Sequence, residues 1–226
     1  MKTIDNIEEW TQVIEPHRKW YKINFREIWD YRDLIMIFVK RDIVSTYKQT
    51  ILGPLWLFLA PLFTTITFIF VFQEIAGIDI EGVPKPLFYL AGTTLWNYFQ
   101  TCLTGTSSTF VQNASIFGKV YFPRLISPIS LVISSVVRFG IQFILFLLFF
   151  LYYLIFEPDT IHPNSSILLL PILLILMGGI SLGLGIIISA LTTKYRDLTY
   201  FVSFGVSLLM FAAPVVFPIS AIPKKF

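Results

Sequence analysis

Apolar residues in this chain run on in blocks; they do not alternate or recur at every third or fourth position. Five stretches, at roughly 51–72, 87–109, 125–156, 166–191 and 198–217, are mostly apolar. Each is long enough to cross a bilayer, because a spanning helix needs about 20 such residues for a hydrocarbon core of ~30 Å. In lipid a backbone N–H or C=O has no water to bond, so a spanning segment is a helix or part of a closed barrel. Blocks such as Ile141–Phe156 and Ile167–Met177 lack the two-residue alternation of a barrel strand. The expected fold is therefore all-α, a polytopic membrane helical bundle with five spans.

The polar positions divide the chain further. Residues 1–50 carry charges of both signs among Trp10, Trp20, Tyr21, Trp29 and Tyr31. They are read as a cytoplasmic N-terminal region, and 51–226 as the transmembrane domain. Tyr31–Thr50 is expected to be helical. Aromatic and basic residues beside apolar ones suit the membrane interface, so an interfacial helix is the preferred reading. The run Leu34–Val39 also fits a cytosolic helix docked under the bundle. Gly53-Pro54 is benign at a helix start, whereas Pro61 lies deeper and is expected to kink the first span. Asp197 stands where an N-cap of the fifth span is expected, and Pro214 and Pro218 break that span's end.

Charge sets the expected orientation. Arg32, Lys40, Arg41 and Lys48 precede the first span, Lys119 and Arg124 follow the second, and Lys194 and Arg196 follow the fourth. The intervening segments 73–86 and 157–165 are acidic on balance. Basic residues accumulate on the cytoplasmic side, which places the N-terminus inside. Charged residues make up 14% of the chain, about half the share typical of soluble domains. The net charge of +3 comes with no basic stripe, so a nucleic-acid partner is not expected. The single cysteine, Cys102, leaves no intrachain disulfide or cysteine metal site, and His17 and His162 lack ligand spacing.

Three features inside the spans are candidates for function. Thr93, Asn97, Gln100, Thr101, Thr104 and Ser108 share an arc of about 100° on the second span. Such a stripe either bonds neighbouring helices or lines a wet pathway. Arg138 is the one charge deep in a predicted span. It marks function if it faces the interior, or sits near headgroup level if the long third stretch protrudes. In the fourth span, Gly179-x-x-x-Gly183 and Ser181-x-x-x-Gly185 allow close helix approach, within the chain or between subunits. Elsewhere the sequence lacks the machinery of an enzyme. Gly77 and Gly82 have P-loop spacing, but Val83 follows where lysine is needed. No paired intramembrane carboxylates offer an ion relay, and no Ser/His/Asp constellation is present.

An ordered set of short motifs gives these features a family. They are Tyr31-Arg32-Asp33-Leu34, Arg41-Asp42, Tyr47-Lys48-Gln49-Thr50-Ile51-Leu52-Gly53-Pro54-Leu55-Trp56 and Pro61-Leu62. Leu90-Ala91-Gly92, Asn113-Ala114, Lys119-Val120-Tyr121-Phe122-Pro123-Arg124, Tyr195-Arg196-Asp197 and Pro214-Val215-Val216-Phe217-Pro218 follow. In this order the chain resembles the membrane (permease) subunit of a type-2 ABC polysaccharide exporter, the O-antigen, capsule and teichoic-acid family. The resemblance implies a bacterial inner-membrane protein working as a pair of permease subunits with separate P-loop ATPase subunits. It has no cofactor of its own, because ATP and Mg belong to the ATPase. The implied substrate is a polysaccharide on undecaprenyl diphosphate. The implied ATPase-coupling loop is 113–124, a short basic loop with Asn113, Phe117, Lys119, Tyr121, Phe122 and Arg124. Phe117, Tyr121 and Phe122 are apolar anchors for a partner pocket. The resemblance also implies a sixth span after short gate helices. The sequence ends at Phe226, where that gate is expected to begin, and is read as a truncated chain. The alternative functional class is a non-ABC lipid-linked-sugar flippase or a structural membrane subunit.

Overall fold

A computed structural model describes residues 25–48, 50–78, 80, 82–161 and 164–218. The N-terminal aromatics before residue 25, Asp79, Glu81, His162 and the segment from residue 219 to Phe226 lie outside the described residues. So does half of the predicted N-terminal region. All regular structure among the described residues is helical. Two helices, α1 (Phe25–Asp30) and α2 (Arg32–Tyr47), precede the first span. That span is one continuous element: a 3-10 turn at Gly53–Leu55, α3 (Trp56–Phe68) and a π-helical end at Ile69–Ile75. The helix runs through the buried Pro61. α4 (Lys85–Gln112) forms the second span, and the short α5 (Ala114–Phe117) follows it. The third, fourth and fifth spans are α6 (Ile126–Phe156), α7 (Leu170–Thr192) and α8 (Leu198–Ala212). A 3-10 turn at Ser165–Leu169 leads into α7.

Three of these elements, Gly53–Ile75, Ile126–Phe156 and Ser165–Thr192, are long and apolar enough to cross a membrane. The other two predicted spans deviate, each for its own reason. α4 has the length, at 28 residues, but Thr, Ser, Asn and Gln interrupt its apolar surface. α8 ends at Ala212, five positions before the predicted limit, because the turns that precede Pro218 begin at Ala213. Its 15 residues amount to roughly 22 Å at 1.5 Å per residue. Asp197 occupies the N-cap position of α8, but its side chain makes no capping bond. Its own backbone is already helical, and the carbonyls of Tyr195 and Arg196 take the N–H groups of Leu198 and Thr199. That backbone turn leaves the carboxylate without its expected donors.

α4 is the axis of the bundle and touches α3, α6, α7 and α8. Its closest neighbour is α7, along complementary stripes. Gly178, Ser181, Gly185, Ser189 and Thr192 recur every three or four residues on the buried face of α7. Opposite them, Tyr98 Oη donates to the Leu174 carbonyl (3.1 Å), and Thr106 Oγ1 to the Ser181 carbonyl (3.1 Å). Thr192 Oγ1 donates to the Ser107 carbonyl (3.0 Å), and the Phe110 N–H to Ser189 Oγ (3.2 Å). Small residues bring the two backbones close enough for side chains to reach the neighbour's main chain. The two predicted small-residue pairs thus part company: Ser181 and Gly185 lie in the seam, while Gly179 and Gly183 face open space.

A side chain at Gly185 would run into Thr106 Oγ1, whereas one at Gly183 meets nothing within 4 Å. Gly185→Val is expected to cost at least the ~1–3 kcal/mol typical of overpacking and to lower the thermal midpoint in detergent. Gly183→Val is expected to leave it unchanged. Equal effects would contradict this packing.

Candidate functional site

At the α5 end of the bundle, a polar network joins three helices that are distant in sequence. Asn113 is buried at the end of α4. Its Nδ2 donates to the Thr109 carbonyl (2.9 Å) and to Ser127 Oγ on α6 (2.9 Å). Ser127 Oγ also lies 3.1 Å from Thr109 Oγ1. The other side of the amide, Asn113 Oδ1, accepts from both Nη atoms of Arg41 on α2 at 3.4 Å. Arg41 in turn pairs with Asp42 (3.0 Å) and lies over the Phe38 ring, 4.6 Å from its centroid. One amide thereby ties α2 and α6 to the start of the loop that follows α4.

An apolar cluster backs this network. Ile35, Phe38 and Val39 of α2 pack on Phe122 and Ile126, with Ile116 and Phe117 against them. Phe122 meets Phe38 edge-on at 5.6 Å and Phe117 at 5.3 Å, and Phe117 also meets Phe110 at 6.1 Å. The loop's six singled-out residues therefore divide. Asn113, Phe117 and Phe122 are used inside the chain, whereas Lys119, Tyr121 and Arg124 are exposed, together with Val120. Local chain geometry gives the reason. After Gln112 the helix breaks at Asn113, and α5 makes a single turn. Gly118 and the residues after it are non-helical, so the tip 119–121 points away from the cluster that anchors both its ends.

Arg138 faces α2. Its Nη2 donates to Thr46 Oγ1 (3.2 Å) and to the Asp42 carbonyl (3.5 Å), near the C-terminal end of that helix. This end carries partial negative charge, which suits a guanidinium. α2 therefore runs beside the first turns of α6, and Arg138 is level with the point where α2 gives way to the first span. The 18 residues from 139 to 156 that remain in α6 reach roughly 27 Å, close to a hydrocarbon thickness.

The stripe on α4 lies elsewhere. Thr93 and Ser108 are buried, and Asn97, Gln100, Thr101 and Thr104 are half-buried. The hydroxyls of Thr93, Thr104 and Ser108 bond carbonyls of their own helix. Gln112 Nε2 donates to Ser108 Oγ (2.9 Å). The face that crosses to α7 and α6 is instead Tyr98, Thr106, Thr109 and Asn113, about half a turn away. Sequence reading missed it because the stripe was picked by polarity alone. The signal was the matching of two periodic sets, 98/102/106/109/113 and 178/181/185/189/192. Among the described residues no cluster of metal-ligating side chains is present.

Comparison with known proteins adds an independent line. Residues 33–226 match the family described as ABC-2 type transporter. The chain is similar to the O-antigen export system permease protein RfbA of Myxococcus xanthus, 28% identical over 88% of this chain and 74% of that protein. It is also similar to an O-antigen export system permease protein RfbA of Klebsiella pneumoniae, 29% identical over 86% of this chain and 72% of that one.

The geometry of Asn113 predicts a graded response. Asn113→Ala leaves Ser127 Oγ with Thr109 Oγ1 alone and cuts the tie to Arg41, at about 1–3 kcal/mol for the hydrogen bonds lost. Arg41 is partly exposed, so Arg41→Ala is expected to cost less. Thermal unfolding of the purified variants in detergent checks the order, and a reversed order would refute it.

Proposed function

Because the chain belongs to the ABC-2 type transporter family, we propose that it is the permease of an O-antigen-type export system in a bacterial inner membrane. In this reading two copies form the pathway, and a polysaccharide on undecaprenyl diphosphate is the cargo. The chain is a membrane subunit, and in this family the ATPase is a separate protein. The observation that carries the proposal is the family match over residues 33–226, supported by two export permeases aligned along most of the chain. A non-ABC flippase or purely structural role loses its footing with that match.

Physical arguments fill in the parts. The half-buried Asn97, Gln100, Thr101 and Thr104 have no good contact with hydrocarbon, which offers them no hydrogen bonds. A water-filled path between two copies, or direct contact with the second copy, relieves that cost. The loop tip is the natural docking point for the ATPase, because Val120 and Tyr121 are 59% and 56% exposed on a rigidly anchored base. Lys119 and Arg124 flank them with positive charge. Phe117 and Phe122 then act from behind by holding the tip in place. The positive-inside bias puts this loop and α2 in the cytoplasm, where an ATPase is available.

Two experiments test the parts separately. Val120→Ala with Tyr121→Ala is expected to weaken ATPase association by about 30-fold or more, the effect of losing one interface hot spot of ~2 kcal/mol. Membrane insertion is expected to persist, and undiminished co-purification of the ATPase would refute the docking assignment. Thr101→Trp or Thr104→Trp is expected to stop polymer export while the amount of intact complex stays constant. Normal export in both variants would remove the stripe from the pathway.

A further inference from the structure

At the end of the bundle opposite α5, a cleft of about 600 Å³ opens between the start of α4 and the end of α6. Lys85 and Glu157 both line it, with Tyr153 and Thr160 beside Glu157 and an apolar rim that includes Pro84 and Pro86. The two charges share the cleft without meeting. Among the described residues neither makes an ion pair within 4.0 Å. The backbone around Glu157 is fully engaged: its N–H donates to the Tyr153 carbonyl (2.8 Å), and its carbonyl accepts from Thr160 Oγ1 (2.7 Å). Its carboxylate has no such partner among the described residues.

The helix ends sharpen this separation. Lys85 is the first residue of the 28-residue α4, where the helix dipole is positive. Glu157 directly follows the 31-residue α6, where the dipole is negative. Each side chain therefore adds to the field of its own helix end. The cleft presents a positive pole and a negative pole on its two sides, and among the described residues neither has a counter-ion. It also lies at a membrane boundary. Glu157 ends a membrane-length helix, and Tyr152, Tyr153 and Phe156 form a contacting aromatic group on the last turns of that helix. Aromatic side chains of this kind gather at headgroup level.

We propose that this cleft binds the headgroup of a phosphatidylethanolamine-type lipid, with its phosphate on Lys85 and its primary ammonium on Glu157. A zwitterion satisfies both poles at once, while a purely anionic headgroup satisfies Lys85 and is repelled by Glu157. The ammonium supplies N–H donors for the free carboxylate oxygens. The apolar rim takes the glycerol end, where acyl chains leave for the bilayer. The proposal does not depend on the transport reading, since it concerns only lipid retention by the folded chain.

The test is native mass spectrometry of the whole chain, released from nanodiscs made with equal phosphatidylethanolamine and phosphatidylglycerol. The chain is expected to retain phosphatidylethanolamine over phosphatidylglycerol by about threefold, the scale of one exposed charge pair. Glu157→Gln is expected to bring that ratio to about one, and Glu157→Lys to reverse it. Lys85→Gln is expected to reduce retention of both lipids. Both residues are exposed, so the helical content by circular dichroism is expected to match the parent. Equal retention of the two lipids by the parent, or an unchanged ratio in Glu157→Gln, would overturn the assignment.

Discussion

The hydrogen-bond demand of α4 organises the bundle. This helix carries Thr93, Thr94, Thr106, Ser107, Ser108 and Thr109 as buried residues in a protein whose surroundings are hydrocarbon. A hydroxyl facing lipid keeps only its own helix as a partner, whereas one facing another helix can bond across, as Thr106 and Thr109 do. α4 therefore takes the axis and the more apolar α3, α6 and α7 surround it. The seam with α7 shows the mechanism directly. Thr106 reaches the Ser181 carbonyl because glycine and serine on α7 keep its backbone within range.

The same logic places the charged residues at boundaries. Arg41 and Arg138 both work on α2, one through Asn113 and the other through Thr46 and the Asp42 carbonyl. Each guanidinium is shared between elements and neither sits alone in the bundle. As a result, α2, the base of the loop 113–124 and the first turns of α6 form one packed unit, with the aromatic cluster of Phe38, Phe117 and Phe122 at its centre. The exposed tip at Val120 and Tyr121 is thereby attached to α2 and α6 through that unit and to α4 through Asn113. The half-buried stripe lies on α4, the helix that Asn113 terminates.

The sequence by itself determined the class of protein, because apolar run length in lipid leaves only a helix, and α6, and α7 together with the 3-10 turn that leads into it, came out within a residue of their predicted bounds. It also carried the family, since the motifs from Tyr31 to Pro218 keep their order. Local rules failed where a backbone or a neighbour competed. Asp197 loses its capping role to the carbonyls of Tyr195 and Arg196, and α8 stops at the turn before Pro218. What only the tertiary structure decided is which polar face of α4 holds the bundle together. Tyr98, Thr106, Thr109 and Asn113 are no more polar than the stripe half a turn away, and only the small-residue face of α7 and Ser127 of α6 select them. The tertiary structure likewise separated Phe117 and Phe122, which pack inward, from Tyr121, which does not. In each case the residue type states what a side chain can bond or bury, and its partner, hundreds of atoms away along the chain, states whether it does.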